Sequence, residues 1–275
     1  TGLAEIRQLA ARPARSAAVA GSIQQINLLD KFVEHVQSFV DVGALRPLKI
    51  VADTANGMGG LILPAAFNEL PFELEILYEE LDGTFPNHPA DPLQPENLVD
   101  LQNRVIESNA DVGLAFDGDA DRVCLVDEKA NLVSGSATTA LVASAILQSE
   151  GPGPILHNLI CSRATVEAIE EAGGEPIRTR VGHSYIKAVM AETGAMFGGE
   201  HSGHYYFARN YGADSGLIAA LIVLERLSLE GSQLSSLIAP LPRYASSGEV
   251  NAEVDSTDHA IAKGACFFSD RQQAR

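Results

Sequence analysis

Short apolar runs alternate with amphipathic stretches along the first half of the chain. The apolar runs are rich in β-branched residues and bounded by turn residues, a pattern typical of buried strands. They predict strands at residues 48–52, 74–78, 112–116 and 123–126. Apolar residues at helical spacing predict helices at residues 23–40, 61–69 and 95–108. This alternation predicts an α/β domain with a largely parallel sheet.

The same alternation restarts after a turn at residues 128–131. Helices are predicted at residues 136–148, 164–172, 183–193 and 215–227, and strands at residues 154–159, 176–181 and 195–198. The pattern therefore predicts two consecutive α/β domains with mixed, largely parallel sheets, at residues 29–133 and 134–241. From residue 243 the sequence becomes rich in Ser, Gly and Asp, and a strand-like run at residues 248–254 has no continuation.

Composition is that of an ordinary globular protein. The chain has 275 residues, enough for two domains, and 46% of them are hydrophobic and 20% charged. No apolar run reaches the roughly 18 residues that a membrane span needs, and no signal-peptide pattern is present. Three scattered cysteines are too few for a disulfide framework or a zinc site, which favours a reducing cytoplasm. Cys124 falls within a predicted strand, where we expect a small buried residue.

The formal net charge is −17. Such a balance argues against a nucleic acid partner, because nucleic acid recognition relies on a basic surface. It leaves room for a small phosphorylated ligand, which needs only local positive charge. Candidate cations lie along the middle of the chain: Arg122, Arg163, Arg178, Arg180, His183 and Lys187.

Three aspartates occupy alternate positions of one short loop between the third and fourth predicted strands: Asp117, Asp119 and Asp121. Clustered carboxylates repel one another, and a divalent cation relieves that repulsion. Magnesium suits such a site because it accepts carboxylates and leaves positions for water and phosphate oxygens. Gly118 is expected to let the backbone turn tightly. Arg122 follows directly, and a cation beside a metal suits a bound phosphate.

Two other interpretations of this loop remain open at this point. Together with Glu128, the aspartates fall at positions one, three, five and twelve of an EF-hand loop. That loop, however, needs a glycine where Arg122 stands, and it needs flanking helices. The other alternative is a plain acidic surface turn.

The glycine-rich turn after the first predicted strand invites a comparison with dinucleotide-binding motifs. Gly57, Gly59 and Gly60 do not form G-x-G-x-x-G, and no convincing ribose-binding acid follows at the right place. A structural strand-to-helix turn is therefore favoured.

A second polar group lies in the glycine-rich segment at residues 198–204. Glu200, Ser202 and His204 alternate, so in an extended loop they can face the same way. A carboxylate and a hydroxyl suit a diol such as adjacent sugar hydroxyls, and a histidine can transfer a proton near neutral pH. The spacing is not that of the G-x-S-x-G elbow of hydrolases. A glycine-rich polar loop without a special role is the alternative.

A third group of polar residues lies before the glycine-rich segment, at residues 183–187. His183 and Ser184 begin a predicted helix, whose N-terminal amides favour an anion. The alternative is that His183 is an ordinary first-turn residue and Lys187 a surface lysine.

Four segments resemble the α-D-phosphohexomutase family, in particular its phosphomannomutase/phosphoglucomutase members. They are DGDADR at residues 117–122, GEHSGH at 199–204, VGHSYIK at 181–187 and GTFPNHPADPLQPENLVDL at 83–101. The resemblance implies four domains around a central cleft, with residues 29–133 as the second and 134–241 as the third. Residues 1–28 are then a connector from a missing N-terminal domain, and residues 242–275 the truncated start of a fourth.

The resemblance also implies roles for the polar groups. Asp117, Asp119 and Asp121 are expected to bind Mg²⁺. Glu200 and Ser202 are expected to hold sugar hydroxyls, with His183 and His204 near the reacting oxygens. The catalytic residues implied within this chain are Arg122, His183 and His204.

The implied activity is that of a phosphomannomutase, which interconverts mannose 6-phosphate and mannose 1-phosphate through a phosphoserine and a hexose 1,6-bisphosphate. The implied partners are hexose phosphate and hexose 1,6-bisphosphate, with no nucleic acid and no membrane; no oligomeric state is implied. Phosphoglucomutase and a non-catalytic sugar-phosphate-binding relative remain alternatives. So does a metal-dependent phosphatase with Asp117 as nucleophile.

The sequence also departs from the family pattern. Nothing in it resembles the Thr-Ala-Ser-His-Asn-Pro loop of the phosphoserine or the Arg-x-Ser-Asn-Thr phosphate loop. Ile160 stands where some members carry a lysine, which leaves the acid–base roles to the histidines. We therefore expect a fragment without mutase turnover. We also expect weak magnesium binding, because one ligand should come from the phosphoserine.

Overall fold

The computed structural model describes residues 2–13, 19, 21–241, 243–245 and 253–272. Within them, two five-stranded mixed sheets define two α/β domains, so the predicted fold class is confirmed. Most of the strand-like run predicted at residues 248–254 lies outside the described residues. No helix in the described part of the chain is both long and apolar enough to cross a membrane.

The first domain contains β1 (Leu48–Asp53), β2 (Phe72–Leu77), β3 (Val112–Phe116), β4 (Val123–Asp127) and β5 (Leu132–Val133). Its helices are α2 (Leu29–Gln37), α3 (Gly59–Phe67) and α4 (Val99–Ser108), and a 3₁₀ turn at Pro95–Leu98 precedes α4. The strand order is β2-β1-β3-β4-β5. The β1 strand pairs in parallel with β2 and β3, whereas β3–β4 and β4–β5 are antiparallel.

The second domain repeats this plan. Its strands are β6 (Pro154–Asn158), β7 (Glu175–Thr179), β8 (Phe197–Gly199), β9 (Tyr205–Phe207) and β10 (Ala213–Asp214). Its helices are α5 (Gly135–Glu150), α6 (Arg163–Glu171), α7 (His183–Thr193) and α8 (Gly216–Glu230), followed by α9 (Leu234–Ile238) and α10 (Thr257–Gln272). The strand order is β10-β9-β8-β6-β7, with β6 parallel to β7 and β8 and the other pairs antiparallel.

The differences from the sequence prediction concern short elements. Strands β5, β9 and β10 were not predicted, because two or three residues are too few to show an alternation. The chain also begins with α1 (Leu3–Ala10), where the sequence showed no clear period. The helix predicted from residue 23 begins only at Leu29.

One hydrophobic core extends across both domains. Leu114 and Leu125 of the first sheet belong to it, as do Tyr205 and Leu221 of the second domain, and all four are fully buried. The central element is α8, which is apolar nearly all round and contacts β4, α2 and α5. Fully burying each such side chain contributes about 1.5–3 kcal/mol to stability. Because both domains share this core, it fixes the loops of the two sheets relative to each other.

The glycine-rich turn between β1 and α3 is a packing feature. A Cβ on Gly60 would lie 1.9 Å from the carbonyl oxygen of Glu79, and one on Gly57 would lie 2.6 Å from that of Gly118. Only glycine allows these backbones to approach so closely. The structure thus supports the structural interpretation of this turn.

Candidate active site at the junction of the two domains

The aspartate loop (residues 117–122) connects β3 and β4, which pair antiparallel up to Phe116 and Val123. One carboxylate oxygen from each of Asp117, Asp119 and Asp121 lies within 4.8 Å of the other two. Because strands flank the loop, the EF-hand interpretation is wrong. The three carboxylates converge on one point, as the alternation predicted.

Gly118 does not provide the left-handed backbone of this turn. That conformation is found at Ala120, with a φ of 62°. A Cβ on Gly118 would lie 3.3 Å from the ring of Phe85 and 3.6 Å from the Cβ of Ala90. Glycine is therefore needed here because the segment containing Phe85 packs closely against the loop.

The loop concentrates negative charge. Burial, followed by the nearby charges of Asp117 and Asp119, raises the pKa of Asp121 to about 7. A divalent cation among the three carboxylates would offset this repulsion, and an all-oxygen donor set matches the preference of magnesium. The residues present therefore fit a magnesium ion.

Arg122 is held against the loop that it ends. Its backbone N–H donates to Oδ1 of Asp117 at 3.2 Å, and its Nε donates to Oδ2 of the same carboxylate at 2.6 Å. Oδ1 of Asp91 lies 3.6 Å from Nη1 of the same guanidinium. The guanidinium is thus fixed beside the carboxylate cluster, where it can meet an anionic ligand.

A second anchor supports the segment that carries Asp91. His88 Nε2 lies 3.1 Å from Oδ2 of the buried Asp53 at the end of β1. The side chain of Asn87 donates to that of Asn56 at 2.8 Å. These contacts hold the segment against the first sheet. They therefore also fix the position of Asp91, which lies in the same segment.

The hairpin loop (residues 199–204) connects the antiparallel strands β8 and β9. Its backbone closes on itself, since the N–H of Glu200 donates to the carbonyl of His204 at 3.0 Å and that of Gly203 to the carbonyl of Glu200 at 3.2 Å. The side chain of Ser202 is within hydrogen-bond distance of Nδ1 of His204, at 3.1 Å. Glu200, Ser202 and His204 are therefore close together.

Glu200 is almost entirely buried. Only 2% of the residue is exposed, and its carboxylate accepts three hydrogen bonds. Oε1 accepts from the side chain of Asn158 at 3.3 Å and from the N–H of Gly182 at 3.1 Å, and Oε2 accepts from the hydroxyl of Tyr206 at 2.9 Å. These hydrogen bonds offset part of the cost of burying the carboxylate, and they fix its orientation.

His204 lies between the two loops. Its Nδ1 is 3.8 Å from Oε2 of Glu200, and its Nε2 is 3.7 Å from Oδ1 of Asp121. Burial lowers its pKa, an effect that the nearby charges of Asp214 and Glu200 oppose. The imidazole therefore connects the hairpin loop with the carboxylates of the aspartate loop.

The backbones of the two loops are joined directly. Arg122 and His204 form an isolated antiparallel β-bridge, and the N–H of Val123 donates to the carbonyl of Gly203 at 3.3 Å. The first turn of α8 packs against the same point, since a Cβ on Gly216 would lie 2.6 Å from the carbonyl carbon of Arg122. Two motifs that are distant in the sequence thus form one site.

His183 is the first residue of α7 and is exposed. It is linked to the hairpin loop through its neighbour Gly182, whose N–H bonds to Glu200. Lys187, one turn further along, lies 3.4 Å from Asp214. The start of α7 therefore borders the site.

The other candidate cations make local contacts. The guanidinium of Arg180 lies 4.4 Å from the ring centre of Tyr185, and Arg163 pairs with Glu167 at 3.2 Å along α6. Arg178 is an exposed residue of β7.

Sequence reasoning did not single out three residues that border this site: Asn158, Tyr206 and Asp214. Asn158 ends β6 and Asp214 ends the short β10, so the fold alone brings them to the hairpin loop. Tyr206 lies two residues after His204, and continuing the alternation of the hairpin loop by one step would have included it.

Two family models match this chain. The model described as "Phosphoglucomutase/phosphomannomutase, alpha/beta/alpha domain II" matches residues 30–131, and the corresponding domain III model matches residues 134–244. The chain belongs to the phosphoglucomutase/phosphomannomutase family, which confirms the resemblance seen in the sequence.

Individual relatives carry names of the same family. A phosphomannomutase of Salmonella montevideo is 36% identical over 283 residues, which cover 100% of this chain and 62% of that protein. A phosphoglucomutase/phosphomannomutase family protein of Burkholderia thailandensis, solved by crystallography, is 37% identical, with a TM-score of 0.75 over 82% of this chain and 49% of that chain. The chain thus spans about three fifths of the length of the curated relatives it matches.

A more distant structure shares the fold. The N-acetylphosphoglucosamine mutase of Aspergillus fumigatus was solved in complex with GlcNAc-6P and magnesium. It is 16% identical, with a TM-score of 0.56 over 77% of this chain and 52% of that chain.

Proposed function

We propose that this chain is the metal- and sugar-binding part of a phosphomannomutase, which interconverts mannose 6-phosphate and mannose 1-phosphate. The observation that carries the proposal is the β-bridge between Arg122 and His204, because it places a carboxylate cluster and a polar hairpin loop beside each other. Residues 29–133 and 134–241 act in this proposal as the second and third of four domains. The 36% identity with the Salmonella montevideo phosphomannomutase supports the mannose assignment.

Asp117, Asp119 and Asp121 would hold the magnesium ion, which, when bound, neutralises negative charge on a transferring phosphoryl group. Arg122 would bind a phosphate oxygen from the adjacent side, since its guanidinium is already fixed by Asp117. The phosphate of the sugar thus meets positive charge from two directions.

The hairpin loop would bind the hexose. Ser202 and Glu200 offer a hydroxyl and a carboxylate to the sugar hydroxyls, and His204 lies between them and the aspartate loop. In the transfer, the oxygen–phosphorus bond of a phosphoserine breaks and a bond from the sugar oxygen to phosphorus forms. The released serine oxygen takes up one proton, and the sugar hydroxyl loses one. His204 would take the proton that the sugar hydroxyl loses, with His183 near the same cleft.

No segment of this sequence resembles the phosphoserine loop of the family. We therefore expect the 275-residue chain by itself to bind hexose phosphate and hexose 1,6-bisphosphate without turnover. A phosphoglucomutase activity is equally compatible with the hairpin loop, and the Burkholderia thailandensis relative carries both names. A phosphatase with Asp117 as nucleophile is disfavoured, because the curated relatives of this chain carry the names of phosphohexose mutases and phosphomannomutases.

Titration of the chain with mannose 6-phosphate in the presence of Mg²⁺ tests the proposal. We expect binding that Ser202→Ala weakens about five-fold, the usual consequence of losing one hydrogen bond. Ser236→Ala is the matched control, because Ser236 is an exposed serine of α9. Absence of binding by the unmodified chain, or equal affinities for all three proteins, would contradict the proposal.

A further inference from the structure

Two adjacent tyrosines of β9 are both fully buried but differ in their hydrogen bonding. The hydroxyl of Tyr206 donates to Oε2 of Glu200 at 2.9 Å. The hydroxyl of Tyr205 has no hydrogen-bond partner among the described residues. A strand places neighbouring side chains on opposite faces, so only Tyr206 is directed toward the hairpin loop.

The bond from Tyr206 is the only one of the three described hydrogen bonds to this carboxylate that reaches Oε2. The other two, from Asn158 and Gly182, both reach Oε1. A carboxylate offers about four lone-pair directions, so one remains on Oε2 after the three described hydrogen bonds. Nδ1 of His204 lies 3.8 Å from the same oxygen. Without the tyrosine hydroxyl, the carboxylate would be held only through Oε1, and Oε2 could change its position by rotation of the carboxylate group.

The ring of Tyr206 is itself fixed in place. It packs in a small core with Leu156, Ile186 and Met190. The ammonium of Lys187 lies 5.9 Å from the ring centre, and the same lysine pairs with Asp214 of β10. Because α7 and β10 fix the ring of Tyr206, they also fix the position of the hydroxyl that donates to Glu200.

We propose that Tyr206 is a positioning residue of the hairpin loop, whose hydroxyl aims the free lone pair of Glu200 Oε2 at a hydroxyl of a phosphorylated hexose. The proposal rests on the function proposed above, in which the hairpin loop binds the sugar. Because Tyr206 acts through Glu200, it affects recognition of the sugar hydroxyls. It does not affect recognition of the phosphate, which falls to the aspartate loop and Arg122.

The test compares Tyr206→Phe with Tyr205→Phe, two changes of equal size at neighbouring buried positions. Phosphorus NMR titrations with mannose 6-phosphate and with inorganic phosphate, both with Mg²⁺, give two affinities for each protein. We expect Tyr206→Phe to weaken mannose 6-phosphate binding about five-fold, as for the loss of one ordinary hydrogen bond between Glu200 and the sugar, and to leave inorganic phosphate binding unchanged. Tyr205→Phe should change neither affinity.

Equal losses for both ligands would mean that Tyr206 only supports the fold, and unchanged mannose 6-phosphate binding would mean that it does not aim Glu200; either result overturns the proposal.

A double-mutant cycle separates this proposal from the function it rests on. Thermal unfolding of Tyr206→Phe, Glu200→Gln and the double variant should show non-additive shifts of the midpoint, because the two residues share one hydrogen bond. Additive shifts overturn the link between Tyr206 and Glu200. Non-additive shifts in a chain that binds no hexose phosphate would instead show that the proposed function is wrong and would also overturn the role in sugar binding.

Discussion

Arg122 and His204 form a β-bridge between two loops that belong to different domains. Arg122 ends the aspartate loop and His204 ends the hairpin loop. The side chain of His204 also lies 3.7 Å from Asp121, so the two loops are in contact through both backbone and side chains. A substitution in one loop should therefore alter the ligand binding of the other.

The first prediction concerns the metal. Asp119→Asn should weaken Mg²⁺ binding by about ten-fold or more, since the loss of about 1.4 kcal/mol from one charged ligand corresponds to a factor of ten. Asp119 is exposed, so its substitution should leave the thermal unfolding midpoint nearly unchanged. Calorimetric titration with MgCl₂ measures the affinity, and Asp30→Asn on the exposed start of α2 is the control. Equal affinities for the two variants would rule out the assigned metal ligand.

The second prediction concerns the packing that joins the domains. Gly216→Ala would place a Cβ 2.6 Å from the backbone of Arg122 and should destabilise the protein by about 1–3 kcal/mol, as overpacking usually does. It should also weaken hexose phosphate binding, because the clash falls at the bridge between the loops. Urea unfolding measures the first effect and titration the second. Gly83→Ala is the control, since a Cβ there meets nothing within 4 Å, and an unfolding free energy equal to that control would show that the contact tolerates a methyl group.

The third prediction concerns pH. Burial lowers the pKa of His157 below its ordinary value of 6.5. Below pH 6.5 the unfolded chain then binds a proton at this residue that the folded chain does not, so the free energy of unfolding decreases as the pH falls from 6.5. His157→Gln should make the difference in unfolding free energy between pH 7.5 and pH 5.5 smaller.

The matched control for this prediction is His259→Gln, because His259 is an exposed histidine of α10. Urea unfolding of the unmodified chain and both variants at the two pH values provides the comparison. If His157→Gln and His259→Gln have the same pH dependence, burial of His157 does not contribute to it.

The fourth prediction concerns cysteine reactivity. Burial raises the pKa of the Cys124 thiol from 9.0 to about 12, which lowers its thiolate fraction at pH 8 roughly a thousand-fold. Iodoacetamide should therefore leave Cys124 unmodified in the folded protein and label it after urea unfolding, as peptide mass spectrometry would show. Labelling of the folded protein at the rate of the unfolded one would mean that β4 opens readily.

Much of the fold was predictable because its main elements have strong local signals. The buried strands β3 and β4 are continuous apolar runs, and the predicted bounds of β3 are those observed. The α7 helix also has the predicted bounds, since it begins after Gly182 with a φ of 118° and ends at Gly194 with a φ of 68°. Glycines in such conformations mark helix ends in the sequence.

The arrangement of the site was less predictable. The alternation of Asp117, Asp119 and Asp121 was enough to predict a carboxylate cluster, because these residues share one loop. The burial and hydrogen bonding of Glu200 were not predictable, because they depend on Asn158 and Gly182, which reach it only after the second sheet has formed. The bridge from Arg122 to His204 depends in the same way on the packing of α8 across both domains.

The most direct test of the account is to measure how strongly Mg²⁺ and mannose 6-phosphate affect each other's binding to this chain. The account places both ligands at one site, so saturating Mg²⁺ should tighten mannose 6-phosphate binding by about five-fold or more, and saturating mannose 6-phosphate should tighten Mg²⁺ binding by the same factor. Calorimetric titrations in the two orders provide both values. Mannose 6-phosphate binding that is independent of Mg²⁺ would contradict the account, because it would mean that the aspartate loop and the hairpin loop do not act as one site.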